Sequence, residues 1–187
     1  MKSLSKEQRL KAGHYEILGE TYAKFEFFEN GWNPYSRFLD VDKVDLILRK
    51  SIDGKICYRE VQVKYGKLYS CTRKWEKPLF DYTSWCRMKK DEFDRQISNR
   101  DFYICFVFAF DEGYKGDILI MPARDMANLL RRTTDGQDKI NVRFSHSRTD
   151  NSKWYFRLKP KVISLDSDMV EATQYHRNFE ILNPSKQ

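Results

Sequence analysis

Apolar positions in this chain follow two kinds of pattern. Over residues 5–30, Leu18, Tyr22 and Phe25 recur at helical spacing with charged residues between them, which predicts a helix. Gly19 interrupts the run. A glycine costs helix stability, so a close approach to another element is expected there. Asn30-Gly31 supplies the stop, because glycine accepts the left-handed conformation at which helices end. Residues 32–38 read as an aromatic connection or short strand interrupted by Pro34. Beyond it the apolar runs are strand-sized. Residues 44–49 and 56–65 flank Asp53-Gly54, a hairpin turn signal, so the two runs pair antiparallel with Ile52 opposite Lys55. Residues 67–100 mix aromatic and basic positions, and predict loops plus a helix near 87–98. Residues 101–110 form a buried strand, and 117–121 a second one after a turn containing Gly113 and Gly116. A short helix over 123–132 follows Pro122. Residues 140–144 and 154–158 are late strands, and 170–179 reads as a C-terminal helix.

The element order predicts an α/β fold with a central mixed β-sheet flanked by helices. No repeat, low-complexity segment or Pro/Gly/Ser linker divides the chain. It reads as a single domain over 1–187, with a basic and aromatic insertion at about 67–100.

Composition narrows the class. A hydrophobic share of 41% and an aromatic share of 15% exclude a disordered chain. No apolar run approaches the ~20 residues that span a bilayer. Residues 1–10 carry lysines but no apolar stretch of the kind a secretion signal needs. A soluble, cytoplasmic protein with no membrane partner is expected. Cys57, Cys71, Cys86 and Cys105 are widely spaced with no C-x-x-C pair, and only His14, His146 and His176 could join them at a zinc site, so four reduced thiols are the simpler reading. A net charge of +7 hints at a polyanionic partner. The absence of a P-loop or G-x-G-x-x-G argues against ATP hydrolysis and dinucleotide chemistry.

Candidate chemistry sits on the hairpin. Along 56–65, Val61 and Val63 face one way and Glu60, Gln62 and Lys64 the other. Alone, that is an ordinary surface strand. Counting back from the turn, however, brings Asp45 beside Gln62 on a shared face, and Glu20 lies on the helix that must pack on this sheet. Carboxylates in such a cluster can hold a divalent cation such as Mg²⁺. The cation would acidify a water and offset charge growing on a phosphate. Lys64 could orient that water or stabilise the transition state.

Over residues 18–66 the chain resembles the PD-(D/E)XK nuclease superfamily. The resemblance is carried by Gly19-Glu20, Ala23, Asn30-Gly31-Trp32, Val44-Asp45-Leu46-Ile47 and Val61-Gln62-Val63-Lys64. It implies a restriction-endonuclease-like core, and Mg²⁺- or Mn²⁺-dependent hydrolysis of nucleic-acid phosphodiesters. It also implies that Glu20 is the helix carboxylate, Asp45 the central metal ligand and Lys64 the catalytic lysine. The chain departs from the pattern at Gln62, where an acid is expected. An amide oxygen can ligate a hard cation but brings no charge. Glu60 shares its face but lies about 13 Å from Lys64 along the strand, which leaves it a secondary role.

The segment after the hairpin adds Lys67, Arg73, Lys74, Arg87, Lys89 and Lys90, interleaved with Trp75, Tyr82 and Trp85. Basic groups bind phosphates and aromatic faces stack on bases, so this segment is a candidate nucleic-acid-binding rim around an acidic centre. Arg131-Arg132 and Lys159-Pro160-Lys161 are shorter clusters of the ordinary solvated kind. Three readings follow. The first is a metal-dependent endonuclease acting on double-stranded DNA in preference to RNA, for which a homodimer is a natural form. The second is a catalytically silent nucleic-acid-binding or structural module on the same fold. The third is an unrelated α/β protein whose hairpin charges are only surface.

Overall fold

Asp53 and Gly54 both adopt positive φ, 50° and 76°, and this tight turn closes the first hairpin. In the computed structural model, residues 6–36, 43–133, 138–162 and 165–184 are described. Their elements run α1 (Lys6–Glu29), β1 (Asn33–Ser36), β2 (Leu46–Ile52), β3 (Lys55–Lys67), β4 (Tyr69–Ser70), β5 (Phe80–Lys89), β6 (Phe102–Phe110) and β7 (Gly113–Pro122). They continue with α2 (Ala123–Arg132), β8 (Lys139–Ser147), β9 (Trp154–Arg157), α3 (Leu165–Asp168) and β10 (Met169–Glu171).

Ile52 pairs with Lys55, so the hairpin has the register its spacing predicts. β3 then pairs parallel with β6, and β6 antiparallel with β7. The resulting sheet is mixed, in the order β1-β2-β3-β6-β7. β6 explains why residues 102–110 are apolar throughout: it is covered on both faces. Phe102, Ile104, Phe106 and Phe108 enter one cluster, and Tyr103, Cys105 and Val107 enter the other.

α1 covers the second of these faces. A Cβ on Gly19 would stand 3.0 Å from Tyr65 Cβ and 3.6 Å from Val63 Cγ1, so the glycine lets the helix rest directly on β3. The buried seam of α1 is Gly19, Ala23 and Phe27, each four residues on. Phe25, expected on the inner face, is 64% exposed and lies outward with Ile17 and Phe28. The reason is steric: the helix packs closest through small residues, which a count of large apolar ones does not find.

The opposite face of the mixed sheet is not covered chiefly by helices. A second five-stranded sheet, β10-β9-β8-β5-β4, packs there, joined by α2. This corrects the reading of 67–100 as loops with a helix near 87–98. Tyr82, Ser84, Cys86 and Met88 alternate with outward positions after an irregularity between Phe80 and Tyr82, and β5 pairs with β8 up to Lys89. Only a single 3₁₀ turn, Asp94–Gln96, follows it. The C-terminal helix expected over 170–179 is also absent. Val170 pairs with Phe156 at the sheet edge, and the chain continues through 3₁₀ turns at Thr173–Tyr175 and Phe179–Leu182. Arg177 is held there by its backbone N–H to the Ile118 carbonyl and by a paired contact to Glu26 on α1. No helix among the described residues is long and apolar enough to cross a membrane.

Candidate active site

Val63 is the residue around which the candidate side chains gather. Its side chain meets α1 at Gly19, next to Glu20. Its backbone N–H donates to Asp45 Oδ2 at 2.6 Å. Gln62 and Lys64 are its chain neighbours.

Asp45 immediately precedes β2, and its own N–H donates to the Val61 carbonyl at 3.0 Å. The β2–β3 register therefore brings it beside Gln62, as the hairpin spacing predicts. Its carboxylate does not simply share a face with Gln62. Strand amides point along the sheet, so the oxygen that accepts from Val63 continues the ladder where β2 has ended. This fixes the carboxylate firmly at the strand edge.

Val61 and Val63 face α1, so Gln62, Lys64 and Gly66 turn toward the second sheet. Gln62 is only 5% exposed, and its Oε1 is buried with no hydrogen-bond partner. Buried acceptors are rarely left unmatched, so this atom calls for a donor or a cation. Lys64 Nζ lies 3.5 Å from Glu92 Oε1. Glu92 also accepts from the Lys89 backbone N–H at 3.0 Å and lies 3.7 Å from Lys43 Nζ. Cys86 sits against this pair. Burial pushes its thiol up to about 12, with Lys64 opposing and Glu92 reinforcing the shift.

Glu20 comes to β3 from the α1 side and carries an ion pair to Lys24 at 3.6 Å. Among the described residues, no three His, Cys, Asp or Glu side chains form a metal-binding group. The oxygen donors that the hairpin register brings together are the Asp45 carboxylate and the Gln62 amide, while Glu20 approaches β3 from the other face. The Gln62 amide oxygen fits a hard divalent cation on chemistry, since oxygen ligands suit Mg²⁺ and the atom has no other partner. Glu60 is tied to Asn99, whose amide donates to it at 2.9 Å, and so belongs to the far end of the strand. Asp42, the acidic residue three positions before Asp45, lies outside the described residues.

Sequence reasoning missed Glu92. It lies in the turns after β5, on a segment read as helix, and nothing in its local sequence sets it apart from Asp91 or Asp94. Only the fold brings it to Lys64.

The basic segment divides. Lys67 is paired with Asp111, and Lys90 donates to the Thr133 carbonyl at 3.3 Å. Arg73, Lys74, Arg87 and Lys89 are exposed. Of its aromatics, Trp85 is 52% exposed, whereas Tyr82 stacks edge-on against Phe110 and Trp75 lies against buried Arg157. A hollow of about 400 Å³ opens beside Trp85, lined by Tyr69, Arg73, Arg143 and Arg157. Arg157 is buried there and ion-paired with Glu76 at 2.6 Å.

No protein-family model and no curated protein matches the chain. Among solved structures, it is similar to that of a bacterial homing endonuclease, I-Ssp6803I, at 11% identity and a TM-score of 0.42, over 89% of this chain and 88% of that one.

Proposed function

We propose that the chain is a metal-dependent endonuclease that hydrolyses phosphodiester bonds of nucleic acid, with double-stranded DNA its substrate. One observation carries this reading. The buried, unpartnered Gln62 Oε1 lies one residue from the amide that holds the Asp45 carboxylate, and Lys64 follows directly. An oxygen donor set with an adjacent ammonium is what phosphodiester hydrolysis needs.

Asp45 and Gln62 are the residues that would hold Mg²⁺ or Mn²⁺, and Glu20 would join them only by reaching past β3 from the α1 side. Such a cation, when bound, acidifies a water and offsets the charge that grows on phosphorus-bound oxygens. The other tasks belong to the chain. The Val63 N–H keeps the Asp45 carboxylate in one orientation. Glu92 holds the Lys64 ammonium, leaving a compact, directed cation to meet a phosphate oxygen. Burial of Gln62 keeps bulk water from competing for its amide oxygen. Two-strand cleavage calls for two such sites. The outward face of α1, with Ile17, Phe25 and Phe28 exposed, is where a second copy would pack.

The test is incubation of plasmid DNA with Mg²⁺. The wild-type chain converts supercoiled plasmid to nicked or linear forms. Asp45→Asn preserves an acceptor for Val63 but removes the charge, and Lys64→Met preserves the stem but removes the ammonium. Each should lower the rate by about 10²-fold or more. Undiminished cleavage by both variants refutes the site. Binding without cleavage under every divalent metal favours the silent module, a reading motivated by the neutral Gln62.

A further inference from the structure

β5 and β8 pair along their length with Trp85 opposite Arg143, Arg87 opposite Asn141 and Lys89 opposite Lys139. Their inward side chains, Met88, Ile140, Val142 and Phe144 among them, are buried in the core. The outward row is therefore Trp85, Arg87 and Lys89 on one strand and Lys139, Asn141 and Arg143 on the other. No Asp or Glu occupies an outward position of either strand over 83–89 or 139–145. Like charges directly across a ladder are destabilising, and Lys89 opposite Lys139 is such a pair.

Several cations elsewhere are neutralised, among them Lys67 by Asp111, Arg131 by Asp94, Arg148 by Asp81 and Arg177 by Glu26. Among the described residues, Arg87, Lys89 and Lys139 have no ion-pair partner. Three unneutralised cations thus stand together on one ribbon. That ribbon is also clear at its edges. β4 pairs with β5 only at Tyr82 and Thr83, and β9 with β8 only from Arg143 onward. Beyond those points the structure is two strands wide. A two-stranded ribbon fits a major groove about 12 Å across. A hollow of about 350 Å³, lined by Lys43, Arg87, Lys89, Glu92 and Lys139, leads from the ribbon to the carboxylate that holds Lys64.

We infer that the outward face of the β5–β8 ribbon enters the major groove of duplex DNA and reads its sequence. Arg87, Asn141 and Arg143 contact base edges, and Lys89 and Lys139 contact phosphates. The inference rests on the nucleic-acid reading of the adjoining site and names the surface that selects the substrate. Arginine matches the paired acceptors of guanine, and asparagine the donor–acceptor pair of adenine. A sheet face with this composition has the means to discriminate base pairs.

Selection of bound duplexes from a randomised DNA library tests it, with the full chain in Ca²⁺ and no Mg²⁺. The wild type should enrich one motif. Arg87→Ala and Arg143→Ala, each with wild-type circular dichroism, should lose discrimination by about 10-fold or more at a single position. Lys139→Ala should weaken all sequences alike and lower the salt dependence by about one phosphate contact. An unchanged motif in both arginine variants overturns the inference, as does a wild type that enriches no motif or that binds an RNA helix as well as DNA. Selection reads binding alone. A motif without cleavage in Mg²⁺ therefore refutes the nuclease reading and leaves this surface standing.

Discussion

On the proposed reading, Gln62 decides how the site holds its cation. Its amide oxygen is buried and unpartnered beside a carboxylate that is itself anchored to the backbone. A glutamate there would carry a second charge into the same enclosure. Without a cation the two carboxylates repel, and burial penalises both. With a cation the added charge strengthens the site. Gln62→Glu should therefore melt below the wild type in EDTA and be raised more than the wild type by millimolar Mg²⁺. Thermal denaturation with and without metal measures this. An equal metal response in the two chains would mean that residue 62 does not face the cation.

At the scale of elements, the contact between β3 and β5 sets how the two sheets meet. Gly66 lies within β3, and a Cβ there would collide with the Ser84 hydroxyl and stand 2.9 Å from the Phe108 ring. Gly66→Ala should cost about 1–3 kcal/mol, read as a lower urea midpoint with an unchanged slope. A neutral substitution would show that the sheets can separate freely. This junction also marks where the sequence stops being legible. The hairpin, its register and α2 follow from local rules: a turn dipeptide, alternating apolar residues, and a proline before a helix. So does the pairing of Asp45 with Gln62, which needs only counting from Asp53-Gly54. β5 is harder, because Trp85 stands on its outward face and Tyr82 on its inward one, so aromatic content does not mark a side. α1 misleads for the opposite reason: its packing seam is made of Gly19 and Ala23. Glu92 reaches Lys64 only because the second sheet folds over the first, a contact across 28 residues of sequence that no local pattern encodes.

The described residues form two sheets and their helices around three apolar clusters, and several acidic protons are locked inside them. Burial pushes the Cys86 thiol up to about 12 and Cys71 to about 11, and burial together with Asp125 pushes Tyr175 up to about 12. Each group holds its proton more tightly when folded than when unfolded. The unfolded chain therefore releases protons first as pH rises, and stability is lost from about pH 9 upward to about 12, being fully present below. Urea midpoints should be level from pH 7 to 8.5 and fall beyond pH 9; a flat profile to pH 11 would contradict this burial. Charge follows the same large-scale logic. The net +7 becomes informative only through its distribution, since Arg87, Lys89 and Lys139 stand together without an acidic neighbour on the β5–β8 ribbon beside the site. The central claim is that Asp45 and Gln62 together hold a hard cation at the edge of β3. Anomalous diffraction from crystals of the wild-type chain soaked in Mn²⁺ tests it most directly. A peak within coordination distance of the Asp45 carboxylate and Gln62 Oε1, absent from Asp45→Asn crystals, is the predicted result. Saturating Mn²⁺ with no peak at those two atoms would contradict it.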